Sequence, residues 1–247
     1  MSKVLLLVEG EKKEEELLSH FYRLYEESDA KIKPIKIVSF KTDIYTFYNE
    51  LEKFAIDEEI DKNSIDLPLF LNDYHGLQGE AQLNSSDFIE KIVVFDFDPQ
   101  SDGYKTEKLM ELMETFSDST ATGKLYLNYP MVESFKDMES LDDKGFMDST
   151  TSLEVLRQKG YKKHVGTRLW LNRVKDINVE TGSKLIHLHH QKMDAINQQK
   201  FNPESKYLHL CNEQCNKLED EKLIWIVNTS ILHLFDEYGS LIKELEL

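Results

Sequence analysis

Lys3-Val4-Leu5-Leu6-Leu7-Val8-Glu9-Gly10 and Ile92-Val93-Val94-Phe95-Asp96-Phe97-Asp98 decide how this chain reads. Each is an uninterrupted apolar run closed by acidic residues. A run of about five apolar residues that stops at a loop has the composition of a parallel strand buried on both faces. In open α/β sheets ligands gather at the carboxyl ends of such strands, so Glu9, Asp96 and Asp98 are placed to converge. Two positions apart in an extended segment, Asp96 and Asp98 fall on one face with Phe97 on the other. Carboxylate oxygens suit a hard divalent cation such as magnesium. A turn glycine or a helix cap accounts for either motif alone. Their conjunction points to an acidic metal-binding cluster.

Working outward, the first strand covers residues 3–8. Leu17, Leu18, Phe21, Leu24 and Tyr25 recur at helical spacing over 11–26. Residues 34–40 read as a second strand, and Thr42 or Asp43 caps a helix running to about residue 61. Residues 66–86 are mixed, with a loop at His75-Gly76-Leu77-Gln78-Gly79. A third strand at 88–95, a helix at 106–116 and a fourth strand at 124–128 complete a βαβαβαβ order. That order predicts a parallel, Rossmann-like sheet with helices on both faces. Beyond Pro130 the texture is mostly helical, with helices expected at 131–138, 152–159, 166–174, 184–197 and, as one long segment, 218–234. The expected division is an α/β part over 1–140 and a helical extension over 141–247 packed on it.

The same residues carry a resemblance. Glu9-Gly10 after the first strand, and Asp96 with Asp98 after the third, match the pattern of the Toprim domain of topoisomerases, bacterial primases and overcoming-lysogenization-defect nucleases. Val8-Glu9-Gly10-Glu11-Lys12-Lys13-Glu14 looks most like the RloB and abortive-infection (AbiL) branch found in phage-defence operons. Asn128-Tyr129-Pro130-Met131-Val132-Glu133 is similar to that branch's Asn-Pro followed by an acidic residue. The match covers about residues 1–140. It departs from the topoisomerase and primase pattern at Pro99-Gln100, where those proteins carry Gly-Glu, which speaks against strand passage and primer synthesis.

The resemblance implies a Mg2+- or Mn2+-dependent nuclease cleaving DNA or tRNA, the toxic effector of an anti-phage system working beside a partner ATPase. Glu9 is then a metal ligand or general base, Asp96 and Asp98 metal ligands, and Glu133 a further ligand or supporting residue. Two-metal phosphodiester cleavage is built from convergent carboxylates of this kind. The contrasting expectation is a non-catalytic Toprim-fold module that docks on the ATPase. Self-association is left open.

Charge bears on that choice. The 247 residues carry a net charge of −16, whereas affinity for a phosphate backbone comes largely from Lys and Arg. The charge is uneven: residues 157–200 hold ten basic and three acidic side chains, a local +7 that leaves −23 for the remainder. That segment includes Lys162, Lys163, His164 and Arg168, the expected nucleic-acid contacts, with Tyr161 and Trp170 as stacking surfaces. A solvated face is the bland alternative.

Other constellations say less. No apolar run reaches the roughly 18–20 residues of a membrane span. Glu9 interrupts the apolar stretch where a signal-peptide core would lie, so a cytoplasmic location is expected. Cys211 and Cys215, four apart on one helix face, read as two small buried hydrophobes or, with a histidine, as half of a zinc site. No P-loop is present, so ATP hydrolysis is not expected of this chain itself. Glu139, Asp142 and Asp143 read as a solvated acidic loop.

Overall fold

The computed structural model describes residues 2–27, 32–61, 64–198 and 205–244, with side chains through 239. Strand β1 (Lys3–Val8) lies between β2 (Ile35–Ser39) and β3 (Phe88–Asp96), parallel to both. From Val4 to Val8 every side chain is buried, which is why the run is apolar without alternation. Beyond β3 come β5 (Gly123–Asn128), parallel, and β4 (Ser117–Asp118), a two-residue antiparallel edge that the sequence pattern did not announce. The sheet order is therefore β2-β1-β3-β5-β4.

Helix α1 (Lys13–Glu26) connects β1 to β2, while α2 (Ile44–Asp57) and α3 (Leu67–His75) connect β2 to β3, and α4 (Thr106–Thr115) connects β3 to β5. The chain runs outward from β1 to β2 and then returns past it to β3. With right-handed crossovers this puts α1 on one face of the sheet and α2, α3 and α4 on the other. The reversal leaves a crevice at the carboxyl ends of β1 and β3, the switch point at which open α/β sheets bind ligands.

Local signals explain the helix ends. The Asp43 carboxylate accepts from the Thr46 amide and starts α2, and Asp66 does the same for α3 through Leu69. Gly76, at φ 62°, stops α3 in the left-handed conformation. Helix α3 falls inside the stretch read as mixed. Beneath α2 and α3 the sheet presents Phe95, whose ring stacks 4.9 Å from Phe47. Phe40, Phe47 and Phe70 close the same cluster, each buried ring contributing roughly 1.5–3 kcal/mol.

After β5 the chain forms a 3-10 turn (Val132–Lys136), β6 (Thr150–Ser152), α5 (Leu153–Arg157), α6 (Gly160–Val165), α7 (Val179–Ile196), α8 (Lys206–Glu221), β7 (Leu223–Trp225) and α9 (Leu232–Glu244). Two expected helices are corrected. Residues 166–173 are irregular, because α6 has already ended at Val165. The long segment 218–234 is not one helix. Lys222 enters the left-handed region at φ 59° and ends α8, and the Ile224–Val227 run is extended. β7 pairs with β6, and Val227 exchanges backbone hydrogen bonds with Tyr129 at 2.8 and 2.9 Å. Ile and Val favour such half-buried extended segments, and the pairing outweighs their helical spacing. Among the described residues no helix is long and apolar enough to cross a membrane.

The loop Asn228-Thr229-Ser230 that follows is wholly buried, and a buried polar loop persists only when its groups are bonded. Asn228 donates to the Val132 carbonyl at 2.9 Å and accepts from the Ser230 hydroxyl and the Ile231 amide. Thr229 donates to the Leu127 carbonyl, and the Ser230 amide to the Asn128 side chain. His189 of α7 accepts the Asn228 amide on Nδ1 and donates from Nε2 to the Phe135 carbonyl. Burial lowers its pKa to about 3, so the ring is neutral. On the same helix Lys192 is fully buried and donates to the carbonyls of Phe146 and Ser149 and to the Ser149 hydroxyl. These bonds strap the 3-10 turn and the 144–149 segment to the C-terminal elements. Asn228→Ala strands three buried partners at roughly 1–3 kcal/mol each. Chemical denaturation of that variant is expected to show a loss of about 3 kcal/mol or more, against a change within about 0.5 kcal/mol for an exposed control such as Asn172→Ala.

Candidate functional site

Glu9 leaves β1 still in the ladder, its amide bonded to the Val94 carbonyl at 3.1 Å. Its side chain turns across to β3, where Oε2 accepts the Asp96 amide at 2.9 Å. Asp96 ends β3 opposite Asn128 of β5. The Asn128 amide group donates to Asp96 Oδ1 at 3.3 Å, while its oxygen accepts the Ser230 amide. Asp96 is therefore held from β1 and β5 together.

Asp98 reaches the cluster by a different route from the one expected. Strand β3 stops at Asp96, and Asp98 adopts φ 41°, a left-handed conformation that Asp tolerates better than most residues. Strand alternation therefore does not set its direction. Instead the Gln100 side chain donates to Asp98 Oδ1 at 2.8 Å. Glu133 sits on the 3-10 turn. Its Oε1 faces Lys162 Nζ at 3.7 Å, and its Oε2 is buried without a hydrogen-bond partner among the described residues.

Glu14, in the first turn of α1, completes the group and carried no expectation of a role. It is buried, and a Cβ at position 10 would stand 2.8 Å from its Oε2. The Glu14 carboxylate thus lies directly against the Gly10 backbone of the loop. The signal was the Gly10-to-Glu14 spacing itself, which puts the side chain over the strand end. Asp43, the cap of α2, adds its charge to Glu9 and Asp98.

The electrostatics follow from crowding acids in a poorly solvated crevice. Burial, then the charges of Asp98, Glu14 and Asp43, push Glu9 up to about 8 despite the Asp96 amide. Burial and the Glu9 charge push Asp96 well up. Glu14 and Asp98 are raised as well, burial first in each case. Burial alone would lower Lys162, but Glu133, Asp96, Glu14 and Asp98 together raise it. A cleft of about 490 Å³ is lined by Glu9, Glu11, Glu14, Asp43 and Asp96 against Lys12, Lys13, Lys41 and Lys162. A hard divalent cation fits this donor set: every candidate ligand is an oxygen, negative charge is in excess, and Glu133 Oε2 is an orphaned buried acceptor. As the side chains stand, no three His, Cys, Asp or Glu groups among the described residues close around a single ion. Glu9 in particular is turned to the Asp96 amide.

The expected basic contacts divide. Lys162 points into the acidic crevice. Lys163 is exposed and has no ion pair among the described residues. His164 lies 3.3 Å from the buried Asp137 carboxylate. Arg168 bonds Asp137 through Nε at 2.9 Å and Glu139 through its NH1 nitrogen, so its fork is occupied by protein carboxylates and Glu139 is an ion-pair partner instead of a free loop acid. Tyr161 is buried, which removes it as a stacking surface, and Trp170 donates to the Lys136 carbonyl. Lys192 is internal, Lys184 pairs with Glu180 and Arg173 with Asp176. Lys200 lies outside the described residues. Cys211 and Cys215 are buried in α8, and no histidine joins them to complete a metal site among the described residues. No family model, curated protein or solved structure matches the chain.

The crowding has a measurable consequence for the metal-free protein. Glu9 holds its proton to about pH 8 in the fold but to about 4.5 when unperturbed. Between those values the native state binds more protons than the unfolded state, so stability falls as pH rises, by up to about 1.4 kcal/mol per pH unit for such a group. In chelator, the melting temperature is expected to drop across pH 4.5–8 more steeply in the parent than in Glu9→Gln. Superimposable profiles would show that Glu9 ionises freely.

Proposed function

We propose that the chain is a metal-dependent phosphodiesterase acting on nucleic acid, with Glu9, Asp96, Asp98 and Glu133 holding magnesium or manganese. The observation that carries this reading is the set of buried, mutually repelling carboxylates at the β1/β3 switch point, which together raise the pKa of the neighbouring Lys162. Such a set is costly unless it binds a cation. A bound divalent cation would lower the pKa of a coordinated water and polarise a phosphoryl oxygen.

The protein's own groups have separable tasks in this reading. The Asn128 amide group and the Glu9–Asp96 bond hold the β3 carboxylate in place. Glu9 serves as a metal ligand or, if it is not bound to the cation, as the general base for the attacking water. Lys162 offsets charge gathering on the phosphoryl oxygens. The Toprim assignment, the DNA or tRNA substrate, the antiviral role, the ATPase partner and a cytoplasmic site of action rest on the sequence resemblance.

The net charge of −16 favours the second reading, a non-catalytic module docking on a partner ATPase. Both readings are decided by one set of measurements. Purified protein is expected to nick plasmid or cleave total tRNA in magnesium or manganese. Glu9→Ala and Asp96→Ala should lose at least 100-fold in rate, while in chelator they melt no lower than the parent, since each relieves repulsion. Metal should raise the melting temperature of the parent by mass action and shift Asp98→Ala less. Equal shifts remove Asp98 from the site, and severe unfolding of both alanine variants marks the cluster as structural.

A further inference from the structure

A second cleft, of about 350 Å³, adjoins the acidic one and shares Lys13, Val132 and Lys162 with it. Its volume lies in the roughly 300–1,000 Å³ range of ligand pockets. Its charge has the opposite sign: Lys13, Lys136, Lys162 and Arg173 line it against Glu16 and Glu133. These cations come from four separate segments. Lys13 begins α1, Lys136 ends the 3-10 turn, Lys162 belongs to α6, and Arg173 lies on the irregular stretch after it, next to Asn172, a neutral donor.

Two of the four form no ion pair with a described residue. Lys13 is exposed and makes no side-chain hydrogen bond or ion pair with a described residue. Lys136 is half-buried, and among the described residues its Nζ reaches the Leu171 carbonyl at 3.4 Å, while Trp170 bonds its backbone carbonyl. Burial, and then the charge of Lys13, lower the Lys136 pKa against the opposing charge of Glu133. Arg173 pairs with Asp176 and Lys162 with Glu133. An anion between Lys13 and Lys136 relieves their repulsion. The Glu133–Lys162 pair stands where the two clefts meet, so an anion in the second lies beside whatever occupies the first.

We propose that this second cleft binds a backbone phosphate of a nucleic-acid strand, adjacent to the phosphodiester presented to the acidic cluster. The proposal rests on the cleavage reading above and adds to it the residues that grip the strand, Lys13 and Lys136. It also relocates substrate recognition from Lys163 and Arg168 to the wall shared with the acidic crevice.

The test is binding of a fluorescein-labelled single-stranded oligonucleotide in calcium, measured by anisotropy over a series of salt concentrations. Lys13→Gln and Lys136→Gln are each expected to weaken binding and to flatten the slope of log affinity against log salt by about 0.7 for every phosphate that is no longer neutralised. Lys163→Gln, outside both clefts, should leave the slope unchanged. Lys13 is exposed, so its variant folds whatever happens at Lys136. The metal-induced rise in melting temperature should match the parent in Lys136→Gln and Lys163→Gln. If Lys13→Gln and Lys136→Gln bind with the parental slope while Glu9→Ala abolishes cleavage, the phosphate subsite falls and the cleavage reading stands. If their slopes flatten but Glu9→Ala cleaves like the parent, the subsite stands and the cleavage reading falls. A parent that binds no oligonucleotide at any salt overturns the subsite outright.

Discussion

The arrangement depends on where β1 sits. Flanked by two parallel partners and covered on both faces, it can only be apolar, and its last residue must emerge at the point where the chain reverses its progress across the sheet. Any polar group placed next along the chain is delivered into a crevice that the sheet has already desolvated. Glu9 is that group, and Asp96, ending the neighbouring strand, is delivered to the same place. The hydrogen bond from the Asp96 amide to Glu9 is the first link that joins them. The backbone hydrogen bonds of β1 and β3 fix the two acids side by side, and the cost of keeping them there is electrostatic.

A second layer keeps that arrangement rigid. Asn128 faces Asp96 on one side and the Ser230 amide on the other. Asn228 and His189 bond the carbonyls of Val132 and Phe135, at either end of the short turn that carries Glu133. The C-terminal elements therefore reach the crevice from below, through buried hydrogen bonds rather than through a ligand of their own. Such networks specify one geometry only when every member is satisfied. Most of this one is, and among the described residues Glu133 Oε2 is the carboxylate oxygen bordering the clefts that has no hydrogen-bond partner.

The strands were legible because a doubly covered strand leaves a composition that nothing else mimics. β1 coincides with residues 3–8, and β3 and β5 differ from expectation by one residue each. Helix α3 was missed although Asp66 and Gly76 mark its ends, because its apolar content is dense enough to hide the periodicity. The long C-terminal helix failed for the opposite reason. Leu223, Ile226, Val227 and Ile231 fit a helical stripe, but Thr150–Ser152 and Tyr129 offered extended partners more than 70 residues away, and local spacing carries no trace of such a partner. At the site, Glu9, Asp96 and Glu133 were visible as residues, but the left-handed turn at Asp98 and the burial of Glu14 were not. Both depend on side chains and loops contributed from elsewhere, Gln100 in one case and the bare Gly10 backbone in the other.

Charge tells the same story at a larger scale. Counting signs along residues 157–200 gives a basic segment, yet folding engages at least four of its ten cations: Lys192 inside the protein, Arg168 on Asp137 and Glu139, Lys184 and Arg173 on their own helical or turn neighbours. The cleft offered to an anion is assembled from residues 13, 136, 162 and 173, which no window of sequence contains, and Lys13 and Lys136 are the two that form no ion pair with a described residue. A net charge of −16 therefore does not exclude a polyanionic substrate. Exposed charges more than about 10 Å away are largely screened at ordinary ionic strength, so a strand entering the cleft responds to the four cations that line it and to the acids beside them.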